Sequence, residues 1–153
     1  MSKPAFQPSL KGRALRLLSQ REHSRTELER KLAPHAQEPG ELAKTLDELQ
    51  ARDFINEGRV IESVVHRRAA KLGTSRIKHE LASKGLSGEA VTEALAGLRE
   101  TEYSRALAMW RKKFDRPAAD PKERAKQVRF LLSRGFHSEV VRKIIQGAED
   151  LED

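Results

Sequence analysis

Cysteine is absent from this chain of 153 residues, which excludes disulfides, thiolate nucleophiles and zinc sites built on cysteine. Aromatic residues make up only 5% of the chain, and this scarcity favours thin cores between helices over one large core. No apolar run approaches the ~20 residues that a membrane-spanning helix needs. The N-terminal residues lack the apolar region of a signal peptide. We therefore expect a cytoplasmic protein that does not contact a membrane.

Sequence motifs of catalysis are also missing. The chain contains no phosphate-binding loop, dinucleotide-binding glycine motif, zinc-protease motif or nucleophile elbow. None of the five histidines lies four residues from another, so no two of them share a helix face as metal ligands. The carboxylates lie beside Lys and Arg, and none stands out as a pair for acid–base chemistry. We expect a binding protein with no enzyme activity, no cofactor and no metal.

A repeat at a spacing of fifty residues is the strongest positive signal. Residues 81–98 align with residues 131–148 at six identical positions out of eighteen, among them the glycine pair Gly85 and Gly135. A repeat of about 20–50 residues is typical of one structural unit used several times in an array. Two helix pairs that look alike by chance are the alternative. The shared glycine at a helix end favours the array.

Helical periodicity and helix-start signals extend along almost the whole chain. Ser24 and Glu27 form a capping box, and Asp120-Pro121-Lys122-Glu123 combines an N-cap, a first-turn proline and an acidic third position. Thr74 is predicted to be another N-cap. The predicted fold is all-α, an elongated array of three tandem three-helix repeats. The predicted repeats are residues 9–52, 53–100 and 101–148.

The charge alternates in sign along the chain. Within a net charge of +7, the basic blocks are residues 1–35 (+5), 56–85 (+4) and 101–135 (+6), and each is followed by an acidic block. Basic parts of successive repeats could align into a stripe that binds a polyanion. Charge that serves only solubility is the alternative.

Fourteen basic residues are the candidate partner-binding and DNA-binding residues, since such side chains contact phosphates without reading sequence. They are Lys11, Arg13, Arg16, Arg67, Arg68, Lys71, Arg76, Lys78, Arg111, Lys112, Lys113, Arg124, Lys126 and Arg129. The aromatic residues at helical spacing, Tyr103 among them, favour a core role over stacking on bases. Phe130, which lies off the apolar stripe, is the best stacking candidate.

Five segments of the chain together carry a resemblance to a known protein family. The segments are S-R-T-E-L-E-R-K-L (24–32), D-F-I-N-E-G-R-V (53–60), R-R-A-A-K-L-G-T-S-R-I-K-H-E-L-A-S-K-G-L (67–86), R-K-K-F (111–114) and D-P-K-E-R followed by R-F-L-L-S-R-G-F (120–136). In this order, over about residues 10–148, the chain resembles the RecX family of recombinase regulators. The first repeat departs from the pattern, because it has Ala33-Pro34-His35 where the other two have a basic residue, Gly and an apolar residue.

The resemblance implies a function as well as a fold. It implies tandem three-helix repeats in a curved, elongated array that lodges in the groove of the RecA filament on single-stranded DNA. Such proteins depress ATP hydrolysis and strand exchange, which places them in homologous recombination, DNA repair and the SOS response. The resemblance also implies binding to DNA alone, which we expect to be weak and non-specific for single and double strands.

A sequence-specific helix-turn-helix DNA-binding protein is the second hypothesis, because each three-helix repeat could act as one. Such a protein reads base edges with residues such as Asn, Gln and Arg. Asn56 is the only asparagine in the chain, which argues against this hypothesis. An enzyme comes third.

The array predicts an elongated monomer. Three thin cores in a row give a longer particle than one compact domain of the same mass. Small-angle scattering should therefore give a radius of gyration well above the ~15 Å of a compact chain of this length. A profile that fits a compact sphere would contradict the array.

Overall fold

The computed structural model describes residues 7–150, and every regular element in this part of the chain is a helix. The elements are α1 Leu10–Gln20, α2 Arg25–Leu32, a 3-10 turn Ala33–His35, α3 Glu41–Ala51, α4 Glu57–Arg68, α5 Thr74–Ser83, α6 Glu89–Lys113, α7 Pro121–Ser133 and α8 Ser138–Asp150. The predicted all-α class is confirmed. The helices group into two compact units, one with residues up to 60 and residues 84–86, the other with residues 61–83 and those from 87 onwards.

The first unit packs α1, α2 and α3 around a small leucine-rich core. Its buried members are Leu10, Ala14, Leu28, Leu32, Leu46, Leu49 and Ile55. The predicted capping box begins α2, since the Ser24 hydroxyl accepts from the Glu27 amide at 3.1 Å and the Glu27 carboxylate accepts from the Ser24 amide at 3.1 Å. The start of α2 is thus fixed by Ser24 and Glu27, the pair predicted from the sequence as a capping box.

The Glu27 carboxylate also joins two cations within the first unit. Its Oε2 atom lies 2.6 Å from Nη2 of Arg21 and 3.2 Å from Nζ of Lys84. Burial by itself raises the pKa of Glu27, but hydrogen bonds from Arg21, the Ser24 amide and Lys84 outweigh it and lower the pKa to about 2. Next to Lys84, Gly85 has a φ of +74° and lies against the Thr26 side chain, leaving no room for a Cβ atom.

In the second unit, α6 runs unbroken through the predicted boundary at residues 100 and 101. A repeat boundary at this point predicts that one helix ends near residue 100 and another begins after it, but both stretches belong to α6. The expectation of two helices is wrong because no proline or turn interrupts the stretch. Its buried stripe continues through a charged residue, Glu102, which hides the helical period in the sequence.

The second half of α6 packs with α7 and α8 around the main core of the second unit. This core contains Ala106, Trp110, Leu131, Phe136, Val141, Ile144, Ile145 and Ala148. The predicted start of α7 is confirmed, since the Asp120 carboxylate accepts from the Glu123 amide at 2.8 Å. Tyr103, expected in the core, is 44% exposed.

We predict that Glu27→Gln lowers the free energy of unfolding by on the order of 3 kcal/mol at pH 7, because the ion pairs and the lowered pKa of Glu27 are lost together. A carboxyl whose pKa falls on folding stabilises fully above its ordinary value of 4.5 and loses this contribution as the pH falls towards about 2. Urea titrations should therefore show parent and variant converging between pH 5 and pH 2.

Glu29→Gln on the same helix is the matched control. Among residues 7–150, Glu29 forms an ion pair only with Arg25, at 3.2 Å, and its side chain is 49% exposed. Its loss should change the unfolding free energy by less than about 1 kcal/mol. Equal effects of the two substitutions would contradict the role assigned to Glu27.

Candidate nucleic-acid and partner interface

In the second unit, the turn before α5 and the turn after α7 contact each other through main-chain atoms. The Gly73 amide, in the turn before α5, donates to the Arg134 carbonyl at 2.7 Å, and the Ser75 amide donates to the Gly135 carbonyl at 3.2 Å. Gly135 has a φ of +92°, and a Cβ atom on Gly73 would overlap the main chain of Gly135. This contact, which we call the glycine joint, holds the turn after α7 against the start of α5. Only glycine fits at both positions.

Two charged side chains of α6 stabilise the same α4–α5 turn. Glu102, only 5% exposed, accepts from the Thr74 amide at 3.1 Å. Nη1 of Arg105 donates to the carbonyls of Ala69 at 2.9 Å and Leu72 at 2.7 Å. A carboxylate thus lies at a helix N-terminus and a guanidinium at a helix C-terminus, as the helix dipoles favour.

The prediction that Thr74 is an N-cap is wrong. Thr74 is the first residue of α5, and the Gly73 carbonyl accepts the helical bond from the Ile77 amide at 3.2 Å. Since the Thr74 amide has no partner within the helix, Glu102 supplies one from α6.

Arg105 remains charged in spite of its surroundings. Burial lowers the pKa of Arg105, and the neighbouring Glu102 opposes this effect. The ordinary pKa of a guanidinium is so high that the group stays protonated. Its guanidinium donates hydrogen bonds to main-chain carbonyls within the unit.

The glycine joint brings two of the predicted basic blocks together. Nη1 of Arg76 on α5 donates to the Ser133 carbonyl at 2.8 Å, next to Arg134. The guanidinium carbon of Arg134 lies 5.1 Å from the centre of the Phe130 ring, and Nζ of Lys113 lies 5.4 Å from it. We call Lys113, Phe130 and Arg134 the Phe130 cluster. It joins the end of α6 to the end of α7, beside the start of α5.

Phe130 combines a packed edge with charged surroundings. It is half-buried and meets Phe114 edge to face, with ring centres 5.5 Å apart and planes at 89°. A ring near two cations gains from cation–π attraction. Phe130 thus lies within the basic region of the second unit.

None of the fourteen predicted basic residues is buried, but they differ in their partners. Three form ion pairs with carboxylates: Lys11 with Glu48 at 2.9 Å, Arg68 with Glu80 at 3.0 Å, and Arg124 with Glu149 at 3.5 Å. No carboxylate among the described residues lies within 4.0 Å of the others, which are Arg13, Arg16, Arg67, Lys71, Arg76, Lys78, Arg111, Lys112, Lys113, Lys126 and Arg129. Lys11, Arg13 and Arg16 belong to the first unit, and the other candidates belong to the second.

Sequence reasoning missed three residues that shape this surface. Arg134 is not among the fourteen candidates, although it directly precedes Gly135, the glycine at a predicted helix end. Glu102 and Arg105 carried no signal, because their partners are main-chain atoms about 30 residues away in the chain. Among residues 7–150 there is no cluster of three metal-ligating side chains, and no helix there is long and apolar enough to cross a membrane.

Comparison with known proteins identifies the family. Three family models match in tandem, described as the first, second and third three-helix domains of RecX, over residues 11–49, 56–95 and 100–145. The chain belongs to the RecX family. The resemblance noted in the sequence, and the prediction of three tandem three-helix repeats, are therefore confirmed.

Curated relatives and solved structures agree with this assignment. The chain is 54% identical to the regulatory protein RecX of Leptothrix cholodnii, covering 96% of this chain and 94% of the relative. It is 50% identical to that of Ralstonia nicotianae over 100% of this chain and 96% of the relative. The crystal structure of RecX from Lactobacillus salivarius superposes with a TM-score of 0.76 at 24% identity, covering 92% and 94% of the two chains, and so supports the fold.

We predict that Gly73→Ala opens the glycine joint, because the added methyl group would overlap the main chain of Gly135. Overpacking of this kind costs about 1–3 kcal/mol or more. Gly97→Ala is the matched control, since a Cβ atom there meets nothing within 4 Å, and alanine should stabilise this helical position by roughly 0.5–1 kcal/mol. Thermal unfolding of both variants checks the prediction, which fails if Gly73→Ala is as stable as the parent.

Proposed function

We propose that this RecX-family protein binds the RecA recombinase filament on single-stranded DNA and mainly inhibits its ATPase and strand-exchange activities. The observation that carries the proposal is that the glycine joint brings two basic blocks, residues 56–85 and 101–135, together in a member of the RecX family. The relatives are named regulatory proteins, and the surface described here supplies cations for a partner that contains phosphate.

The charges of the second unit favour contact with a nucleic-acid backbone. Arg67 lies in the last turn of α4 and Lys71 in the turn that follows it, and Lys126 and Arg129 lie one turn apart on α7. None of these four has a carboxylate within 4.0 Å in the described part of the chain. Cations of this kind neutralise phosphates and release counterions. They carry no information about base sequence.

Inhibition would follow from rigidity within the second unit. The glycine joint links the start of α5 to the turn after α7 by main-chain hydrogen bonds. The side chains of Glu102 and Arg105 on α6 bond to main-chain atoms of the α4–α5 turn. Together these bonds fix α4, α5, α6 and α7 relative to one another. When one basic block binds, the other is therefore presented at a high effective concentration. A rigid element bound across neighbouring recombinase protomers would hinder the motions that couple ATP hydrolysis to strand exchange.

The ATPase reaction of a recombinase on single-stranded DNA tests this proposal. We expect Arg67→Ala/Lys71→Ala and Lys126→Ala/Arg129→Ala each to weaken inhibition about tenfold or more, because both blocks must engage together. Binding to free DNA should weaken far less. The matched control is Arg142→Ala/Lys143→Ala, two exposed basic residues of α8, which should inhibit like the parent.

Circular dichroism should show folded variants, since changes at exposed positions usually alter stability by only about 0.5 kcal/mol. Folded block variants that inhibit as strongly as the parent would contradict the proposed surface. A parent protein without any effect on the ATPase would contradict the proposed function itself.

Binding to DNA alone should be weak, independent of sequence and strongly dependent on salt. Counterion release predicts that the logarithm of the binding constant falls linearly with the logarithm of salt concentration, by about 0.7 per phosphate contact on single strands. Fluorescence anisotropy with unrelated oligonucleotides at several salt concentrations measures this slope. One sequence bound ~1,000-fold tighter than the others would instead favour the helix-turn-helix hypothesis.

A further inference from the structure

A cavity of about 370 Å³ opens between α1 and α2 in the first unit. Leu17 and Leu32 are among its apolar lining residues, and four basic side chains also line it: Arg13, Arg16, Lys31 and His35. No carboxylate is among its lining residues in the described part of the chain. The cavity therefore combines an apolar surface with charge of one sign.

The positive charge of this cavity is not neutralised locally. Arg13 and Arg16 have no carboxylate within 4.0 Å among residues 7–150. Nζ of Lys31 lies 3.2 Å from Nε2 of His23, a ring that is only 1% exposed.

The His23 ring is a neutral partner for Lys31. Its Nδ1 atom lies 3.0 Å from the Arg21 carbonyl, so the hydrogen-bond network assigns the proton to Nδ1 and leaves Nε2 to accept from Lys31. Burial lowers the pKa of His23, and the cations of Arg21 and Lys31 lower it further against the opposing effects of the Arg21 carbonyl and Glu27. Lys31 is thus oriented by contact with a neutral ring and not by a carboxylate.

The size and the polar groups of the cavity fit a small molecule. Its volume lies at the lower end of the roughly 300–1,000 Å³ typical of small-molecule sites, whereas an amphipathic helix needs an extended groove. Gln20 in its lining supplies both amide donors and an acceptor. A nucleobase presents flat apolar faces and a hydrogen-bonding edge, and its phosphate carries dense negative charge.

We propose that this cavity binds one phosphorylated nucleotide, with its base against Leu17 and Leu32 and its phosphate between Arg13, Arg16 and Lys31. The nucleotide is either free or part of a single strand. This inference deepens the proposed function and rests on it in the second case, since the first unit would then hold a nucleotide of the bound strand.

The test uses the full chain without recombinase and follows backbone amide signals by NMR during titration with deoxyadenosine monophosphate. Inorganic phosphate and deoxyadenosine are titrated separately. We expect the nucleotide to shift the signals of α1 and α2 and to bind about tenfold or more tightly than either fragment, because the base and the phosphate bind together. Arg13→Gln/Arg16→Gln should weaken nucleotide binding about tenfold or more, at roughly 1.4 kcal/mol per tenfold change.

Arg142→Gln/Lys143→Gln, on α8 and outside the cavity, is the matched control and should bind the nucleotide like the parent. If the cavity variant does not fold, Gln20→Leu replaces it and should weaken nucleotide binding while leaving phosphate binding unchanged. An oligothymidylate that shifts the same amide signals and binds more tightly than the mononucleotide assigns the site to a strand. Equal affinities of the two assign it to free nucleotides. Both results support the proposal.

Three results would overturn the proposal: no nucleotide binding, binding no tighter than that of inorganic phosphate, or equal losses in the cavity variant and its control. An acidic peptide that shifts the cavity signals where the nucleotide does not would also overturn it. Because the titration contains no recombinase, its failure leaves the ATPase test standing. Conversely, if the parent protein does not inhibit the recombinase ATPase, a nucleotide site found by the titration would still stand.

Discussion

The second unit depends on an approach of two main chains that a single methyl group would prevent. Gly73 and Gly135 allow the turn before α5 and the turn after α7 to share hydrogen bonds, and Glu102 and Arg105 fix the first of these turns from α6. Once these contacts form, the position of Arg76 beside Arg134 and the Phe130 cluster follows. The main-chain contact therefore determines which basic side chains lie together on this surface.

Local signals in the sequence predicted much of this fold. The capping box at Ser24, the N-cap at Asp120 and the glycine stop at Gly135 were all readable, because each acts within a few residues of the chain. The unbroken course of α6 was not, since a buried Glu102 interrupts its apolar stripe. The site was predictable as a set of basic residues. The contact between its blocks was not, because main-chain hydrogen bonds across about 60 residues leave no side-chain pattern.

The turn that the repeats share works differently in the two units. In the first, Lys84 before Gly85 forms an ion pair with Glu27 at 3.2 Å, so opposite charges stabilise the contact. In the second, Arg134 before Gly135 lies beside Arg76, and these cations use a ring and a carbonyl as partners. The same short motif thus neutralises charge at one place and concentrates it at another. Repetition of sequence in this protein does not mean repetition of electrostatic role.

The unbroken course of α6 has a consequence for how the molecule unfolds. The helix α6 contacts α5 as well as α7 and α8, and its second half contributes Ala106 and Trp110 to the core that includes α7 and α8. One run of helical hydrogen bonds thus belongs to the second repeat and to the third. In arrays whose repeats meet only at side-chain interfaces, each repeat can open with a free energy of its own. In this protein, fraying of the third repeat would loosen α6, which is also the last helix of the second repeat. We therefore expect the two repeats to unfold together, so that damage to either affects both.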